Sequence, residues 1–510
     1  MKPRIGEPPG GTLVPQTNPN LSKFDHLVVL MLENRSFDNL LGYLYENDKP
    51  QQFVGCSDKV FRGVSGEDFS NPDANKAEVS VAKAPFETPA DMCNPSPDPG
   101  EGYKHVNNQI YGRSDVPLDI AELRDHPAPM NGFVLDFINA IKAQEGWDGV
   151  EPTYAQYRVI MNCFTPEAVP VLSGLAKAYA VSDEWFCSVP SQTFCNRSFF
   201  HSGQSHGNVY NSNYVKWQLN DNRTIFDLIS AKRGPSSDWR IYWYPQDLVC
   251  MTRIIHRALE DAKYDRNLRE LDPELHSFKE DCRKGDLAAY TFVQPRLIFN
   301  HNDMHPPVSL NPFVDSSVLA GELLIHEVYE AVSTGPKWQR TLLVIIFDEH
   351  GGCYDHWPPP LGATPPVENP NYELEEGFRF DRFGVRVPAV FVSPYVAPGT
   401  VIRAGGKVPF DHTSMIKTIC QRWELEGLTD RDRAAPDFGD VLSLPLDQPR
   451  RDRPTFQPRE YEPIPEPEAH GGLLSALQKD IFGLAALKKK VERPQLGKIG
   501  EALDWFRRSV

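Results

Sequence analysis

Apolar positions run almost without a break through residues 24–32 and again through 341–347, and both runs are rich in β-branched side chains. A strand covered on both faces reads this way, so each run is expected to form a central strand of one sheet. Further strands are expected at 180–186, 238–244, 290–293 and 387–393, with Pro388 restricted to the start of its strand or to an edge because it has no N–H for the ladder. Helical spacing marks 134–142, 168–179 and 414–423, and a charged, helix-prone stretch covers 254–284. Strands alternating with helices predict an α/β fold: a single large domain with a mostly parallel central sheet flanked by helices.

Turn residues set the organisation. Residues 1–21 are rich in Pro, Gly and Asn and read as an N-terminal arm, 22–445 as the domain, and 48–102 within it as a long loop or cap, including Asn94-Pro95-Ser96-Pro97-Asp98-Pro99-Gly100. Residues 446–510 divide into a Pro-rich linker, through Ile464-Pro465-Glu466-Pro467, and a tail from 473 that regains helical spacing and carries Lys488-Lys489-Lys490. That tail either docks on the domain or meets a membrane or a partner.

Composition narrows the function classes. A formal charge of -16 over 510 residues excludes a nucleic-acid binder, which needs Lys and Arg to neutralise phosphates. It does not exclude a phosphorylated small substrate, since a bound metal and a few local cations outweigh a distant field. The nine cysteines contain no CxxC pair, which argues against a structural zinc module and leaves their pairing open. The first residues lack the apolar stretch of a signal peptide and no window approaches the roughly 18 apolar residues of a membrane span. The expected location is cytoplasmic, or extracytoplasmic if a signal has been removed. Oligomeric state is not legible.

Oxygen ligands follow both strong strands: Glu33-Asn34-Arg35-Ser36-Phe37-Asp38 after the first, Asp348-Glu349-His350-Gly351-Gly352 after the second. Ligands in open α/β sheets sit beyond the carboxyl ends of the strands, so Glu33, Asn34, Asp348 and Glu349 are placed to converge on one hard divalent cation. The turn Ser188-Val189-Pro190-Ser191-Gln192-Thr193-Phe194-Cys195-Asn196-Arg197 offers candidate nucleophiles in Ser191, Thr193 and Cys195, with Asn196 and Arg197 behind them to hold anionic oxygen. His105, His301, His305, His350 and His412 fall in similarly punctuated segments. The bland alternatives are a helix cap for Asp38, a buried carboxylate partner for Arg35, a sharp turn at Gly351 and Gly352, and Asp411 orienting His412 at a helix start. Asp355 and His356 are candidates for a supporting role.

Glu33 to Asp38, Thr193 to Arg197, His305-Pro306-Pro307, Asp348 to Gly352 and Asp411-His412-Thr413-Ser414 together resemble, in order over residues 22–425, the bacterial phosphoesterase family. That family holds phosphatidylcholine-type phospholipases C, plant non-specific phospholipases C and an acid phosphatase branch, within the alkaline phosphatase-like superfamily. The resemblance implies an alkaline phosphatase-like fold and a metal-dependent phosphoric ester hydrolase holding one divalent ion, with Ca, Mg, Mn or Zn as the candidates. It implies Glu33, Asn34, Asp348 and Glu349 as metal ligands, and Thr193 as both ligand and nucleophile through a phospho-threonine. His105, His305 and His350, with Asn196, are implied around the transferred phosphoryl group, and His301, Arg197, Asp411 and His412 in support or on substrate. Cys195 and Gln192 depart from the family's turn. The expected substrate is a phosphodiester such as a phospholipid headgroup, with transient contact to a membrane surface. The alternatives are an acid phosphatase on small monoesters and, in another class, a noncatalytic metal-stabilised binding protein, for which Cys195 is the one support.

Overall fold

The structure is a computed structural model that describes residues 17–125, 128–144, 147–234, 238–308, 316–462, 474–489, 501 and 504. Most of the expected arm, the linker motif at 464–467 and nearly all of the tail beyond 489 lie outside the described residues.

The two apolar runs form β1 (His26–Leu32) and run alongside each other with a strand at Thr341–Phe347. In chain order the main sheet also takes β2 (Gln52–Val54), β3 (Ala180–Ser182), β4 (Trp239–Trp243), β5 (Leu268–Glu270) and β6 (Tyr290–Val293). Thr341–Phe347 is then β7, followed by β8 (Ala389–Val392) and β9 (Thr400–Ile402). Among the described residues the spatial order is β5-β4-β6-β1-β7-β8-β3-β9-β2. Every pairing is parallel except the two made by β8, which runs antiparallel to both β7 and β3. Pro388 immediately precedes β8, so an interior strand escapes the missing N–H by starting one residue later. β1 and β7, central and parallel, have every residue buried but His26.

Three expectations change. The run at 180–186 is two short strands, because after β3 the chain leaves the sheet and Trp185–Phe186 pairs instead with Phe410–Asp411. The charged stretch at 254–284 is not one helix: its middle supplies edge strand β5, and a helix resumes only at His276–Lys284. The 48–102 segment contributes edge strand β2, where only a loop or cap was expected.

The helices that position the site are α1 (Phe37–Leu41), α2 (Tyr103–Tyr111), α3 (Phe133–Lys142), α4 (Pro170–Ala178) and α5 (Thr193–Ser202). They are joined by α6 (Tyr214–Gln218), α7 (Val318–Thr334), α8 (Thr413–Trp423) and α9 (Ala476–Lys488). Buried Glu322 of α7 takes both free N–H groups at the start of α4, Val171 at 2.6 Å and Leu172 at 2.9 Å, and burial pushes its carboxyl up to about 7. The tail helix α9 buries Leu477, Ile481, Phe482 and Leu484 in a cluster with Phe194, Trp217 and Ile255. It is therefore docked on the domain. No described helix is long and apolar enough to cross a membrane.

A buried ion network ties α1 to the loop after β7. Arg386 donates from Nη2 to Asp38 Oδ1 at 3.0 Å and from Nε to Asp355 Oδ1 at 3.0 Å, and Asp38 Oδ2 accepts from the His356 N–H at 2.7 Å. Asp38 thus pairs with the Arg386 guanidinium, and the cap expected of it is Ser36, which accepts from the Asn39 N–H at 3.1 Å. Removing Arg386 leaves two carboxylates buried without their guanidinium. Arg386→Met should cost roughly 3–5 kcal/mol in urea unfolding, whereas Arg283→Met in an exposed pair should leave the unfolding midpoint nearly unchanged.

Candidate active site

Register brings the two acidic turns together. Leu32 of β1 pairs with Phe347 of β7, so Glu33 and Asp348 leave the sheet side by side. The turns then lock: the Asn34 N–H donates to Asp348 Oδ1 at 3.2 Å, the Arg35 N–H to the Glu349 carbonyl at 3.0 Å, and the Gly351 N–H to Glu349 Oε2 at 2.8 Å. Asn34 adopts φ +53° and Gly351 φ +59°. A Cβ on Gly351 would stand 2.5 Å from both the Asn34 carbonyl and its Cβ, so the turn requires glycine. Arg35 differs from expectation: Nε donates to the Met304 carbonyl at 2.7 Å and Nη1 to the Asn94 carbonyl at 2.5 Å, so it ties loops together through backbone oxygens.

Helix α5 brings the nucleophile turn to that pair. Thr193 is its first residue, and Oγ1 donates to Glu33 Oε2 at 3.2 Å. Arg197, one helical turn on, donates from Nε to Asp348 Oδ2 at 3.1 Å and from Nη2 to Glu33 Oε1. Asn196 stays in the turn: Oδ1 accepts from the Val189 N–H at 3.0 Å and Nδ2 donates to the carbonyls of Val189 at 3.1 Å and Ser191 at 2.7 Å. Its amide thereby clasps the turn that carries Thr193. Cys195 points the other way, its thiol against the Asn208 carbonyl at 3.3 Å, and burial pushes that thiol far up. Thiol chemistry has no basis there, and the feature that favoured a noncatalytic protein belongs to the packing. Gln192 has a use: its amide donates to Glu101 Oε1 at 3.2 Å and accepts from the Asn211 N–H at 3.1 Å, while Asn211 Oδ1 caps the Phe194 N–H at 2.9 Å.

The histidines separate into an inner and an outer set. His305 is buried with Nε2 3.0 Å from Asn34 Nδ2 and Nδ1 2.7 Å from the Pro306 carbonyl. His301 Nδ1 meets Asp303 Oδ1 at 2.8 Å, and the same oxygen accepts the His305 N–H at 2.9 Å, so His301 steadies the loop that carries His305. His350 Nε2 lies 2.7 Å from Gln109 Oε1; Gln109 Nε2 donates to Asp136 Oδ2 at 2.8 Å, and Asp136 Oδ1 holds His105 Nδ1 at 3.0 Å. His412 accepts from Trp185 Nε1 at 3.2 Å, which leaves its Nε2–H to donate to the Asp348 carbonyl at 2.5 Å. Asp411 does not orient that ring; it bonds Ser188 Oγ at 2.9 Å and Arg431 Nε at 3.0 Å. His105, Glu101 and Gln192 open onto a cleft of about 550 Å³ that is also lined by Leu474 and, from α9, Lys479. A larger surface hollow of about 830 Å³ beside β2, lined by Tyr45, Gln52 and Phe61, contains none of these groups.

Comparison with known proteins matches residues 24–426 to the model described as Phosphoesterase family. The chain belongs to the phosphoesterase family. It is 34% identical to "Non-specific phospholipase C6" of Arabidopsis thaliana over 90% of this chain and 80% of that protein. It is 25% identical to "Hemolytic phospholipase C" of Pseudomonas aeruginosa over 82% of this chain and 55% of that one. A solved protein of the alkaline phosphatase superfamily from Vibrio parahaemolyticus overlays with TM-score 0.31 at 11% identity, covering 52% of this chain and 63% of that one, a likeness too loose to carry weight. As a family member the chain is a hydrolase of phosphoester bonds.

Charge at the centre of this phosphoesterase is unbalanced. Glu33, Asp348, Glu349 and Glu101 are all buried, and among the described residues the guanidinium paired with any of them is that of Arg197, on Glu33 and Asp348. Burial, with neighbouring carboxylates, holds the Glu33 and Glu349 carboxyls well above the usual range. Asn34 Oδ1 and Glu349 Oε1 are buried with no partner among the described residues. Orphaned oxygens with surplus negative charge fit a divalent cation. Three ligand atoms within 4.8 Å of one another are also offered by Asp98, Glu101 and His305, a group that the sequence reading missed apart from His305. Asp98 and Glu101 sit in the Pro-rich loop, where nothing in the local pattern separates a ligand from a solvated acid. Burial pushes Asp98 up to about 8.

The outer histidines differ in charge. Burial pulls His350 down to about 3, so it is neutral. His105, its side chain 45% exposed, is raised by its hydrogen bond to Asp136. Asp136→Asn should return the His105 pKa, read by NMR titration, toward about 6.5. A folded pKa raised above the unfolded one stabilises fully below the unfolded value and is lost as pH rises through the folded value, so the variant's loss of stability should be larger near about pH 5 than near about pH 9.

Proposed function

We propose that this phosphoesterase is a metal-dependent phosphodiesterase of the phospholipase C type that works through a phospho-threonine at Thr193. The observation that carries the reading is the Thr193 hydroxyl, buried at the first residue of a ten-residue helix and 3.2 Å from Glu33 where two central strands end. The phospholipase C names of its relatives support a phospholipid as substrate.

Glu33, Asn34, Asp348 and Glu349 are the residues that would hold the ion, with the orphaned Asn34 and Glu349 oxygens available to it. Bound there, a divalent ion supplies the positive charge that favours the alkoxide of a nearby hydroxyl and a nonbridging phosphoryl oxygen. Glu33 Oε2 fixes the direction of the Thr193 hydroxyl. Attack forms the Oγ–P bond as the hydroxyl proton passes to Glu33 Oε2, and breaks the P–O bond to the diacylglycerol oxygen, which takes a proton from His105 at the cleft. The start of α5 faces the charge that develops on phosphorus, and His350, kept neutral, steadies Gln109 and Asp136. Water then cleaves the phospho-threonine with His105 as base, releasing the phosphorylated headgroup.

Thr193→Ala should lower hydrolysis of phosphatidylcholine by about 10³-fold or more while elemental analysis finds the metal content unchanged, and Thr193→Ser should retain measurable turnover. Full activity in the alanine variant would remove Thr193 from the mechanism. With metal supplied, the rate on phosphatidylcholine should exceed that on a chromogenic phosphomonoester; failure on both would count against the reaction itself.

A further inference from the structure

Among the described residues eight large apolar side chains are conspicuously exposed, and several of them belong to segments that adjoin the lining of one cleft. Ala140, Ala143 and Gln144 at the end of α3 line the cleft that holds His105. The Trp147 N–H donates back to the Gln144 carbonyl at 3.1 Å, and the loop it starts exposes Trp147 by 41%, Val150 by 64% and Tyr154 by 54%. That loop is shaped rather than loose: Trp147 Nε1 donates to the Val150 carbonyl at 3.0 Å and Asp148 Oδ1 accepts the Val150 N–H at 2.9 Å. Across the opening, Tyr210 and Ser212 line the cleft and the Tyr214 N–H bonds the Ser212 carbonyl at 3.0 Å, which starts α6 with Val215 and Leu219 exposed. Leu118, also exposed, lies against Gly377, whose neighbour Glu376 pairs with Lys104 at 3.1 Å and with the Tyr210 hydroxyl at 3.2 Å, next to His105. The two remaining exposed apolar residues, Val60 and Leu446, belong to other segments of the chain.

We propose that this rim, centred on Trp147, Val150, Val215 and Leu219, seats the enzyme on the surface of a zwitterionic phospholipid bilayer. The inference rests on the phospholipase C reading, since a diester attached to acyl chains reaches a buried hydroxyl only if the opening meets the bilayer. Apolar residues circling a polar opening are the form such a contact takes, with Trp and Tyr suited to the headgroup level. Charge selects the lipid. The chain carries -16, and Lys142 and Lys104 beside the rim are paired with Glu151 at 2.6 Å and with Glu376 at 3.1 Å, which disfavours an anionic surface.

The test uses the full chain with phosphatidylcholine vesicles and with short-chain phosphatidylcholine kept monomeric, comparing Trp147→Ser/Val150→Ser, Val215→Ser/Leu219→Ser and the control Val60→Ser/Leu446→Ser. The unaltered protein and the control should float with vesicles, and each rim variant should bind about tenfold more weakly, as expected for losing large apolar side chains from an interface. Vesicle hydrolysis should fall with binding while monomer hydrolysis stays unchanged. Flotation of the rim variants equal to the unaltered protein overturns the proposal, as does no flotation of the unaltered protein. Binding that requires anionic lipid and is lost in salt overturns it too. Rim substitutions that abolish concentration-dependent self-association in light scattering without changing flotation would assign the surface to a second copy of the chain. Flotation without hydrolysis of either lipid form would leave the rim standing and remove the phospholipase reading.

Discussion

Arg197 stands fully buried between Glu33 and Asp348, and the arrangement of the site depends on that bridge. Adjacent parallel strands that both end in carboxylates bring like charges together where water cannot screen them. A guanidinium with donors in a fixed fork meets both at once, which the single ammonium of lysine would not. Because Arg197 and Thr193 share one helix, the cation that holds the carboxylates together also fixes where the hydroxyl sits. One positive charge among four buried acids still leaves a surplus, and the orphaned Asn34 and Glu349 oxygens face it. Electrostatic deficit and site geometry thus have a common origin in the strand register.

Around this centre the polar groups change character toward the opening. His350, deep and uncharged, leans on Gln109; Gln109 leans on Asp136; and Asp136 holds the half-exposed His105, whose proton it favours. The same carboxylate therefore serves a neutral amide inward and an imidazole outward. Rigidity follows from the backing: α2 and α3, which carry these groups, pack through Val106, Ile110, Phe133 and Phe137 in one apolar cluster.

The sequence makes the central strands legible because β1 and β7 are apolar on both faces, a pattern few other elements share. The acidic turns and the Thr193 turn were legible from their position after strands, and the structure brings Glu33, Asn34, Asp348, Glu349, Thr193 and Arg197 together. Strand direction was not: nothing in the pattern at 387–393 distinguishes the antiparallel β8 from its parallel neighbours, since alternation and burial are the same either way. Partners far apart in sequence were hidden too. Glu101, Gln109 and Asp136 look like ordinary polar residues of a loop and two amphipathic helices until folding aligns them, and Asn196 looks like a phosphoryl ligand until its amide is seen to close its own turn. Arg35 misled for the same reason, because buried arginines satisfy carbonyls as readily as carboxylates.

The region matched by the family model stops at 426, yet the cleft continues onto residues beside α9, far down the chain. Leu474, Ala476, Lys479 and Asp480 of its lining thus come from a segment outside that match. Exchanging that segment between relatives would reshape one wall of the cleft while leaving the carboxylates and the Thr193 turn as they are, a modular division between surroundings and centre.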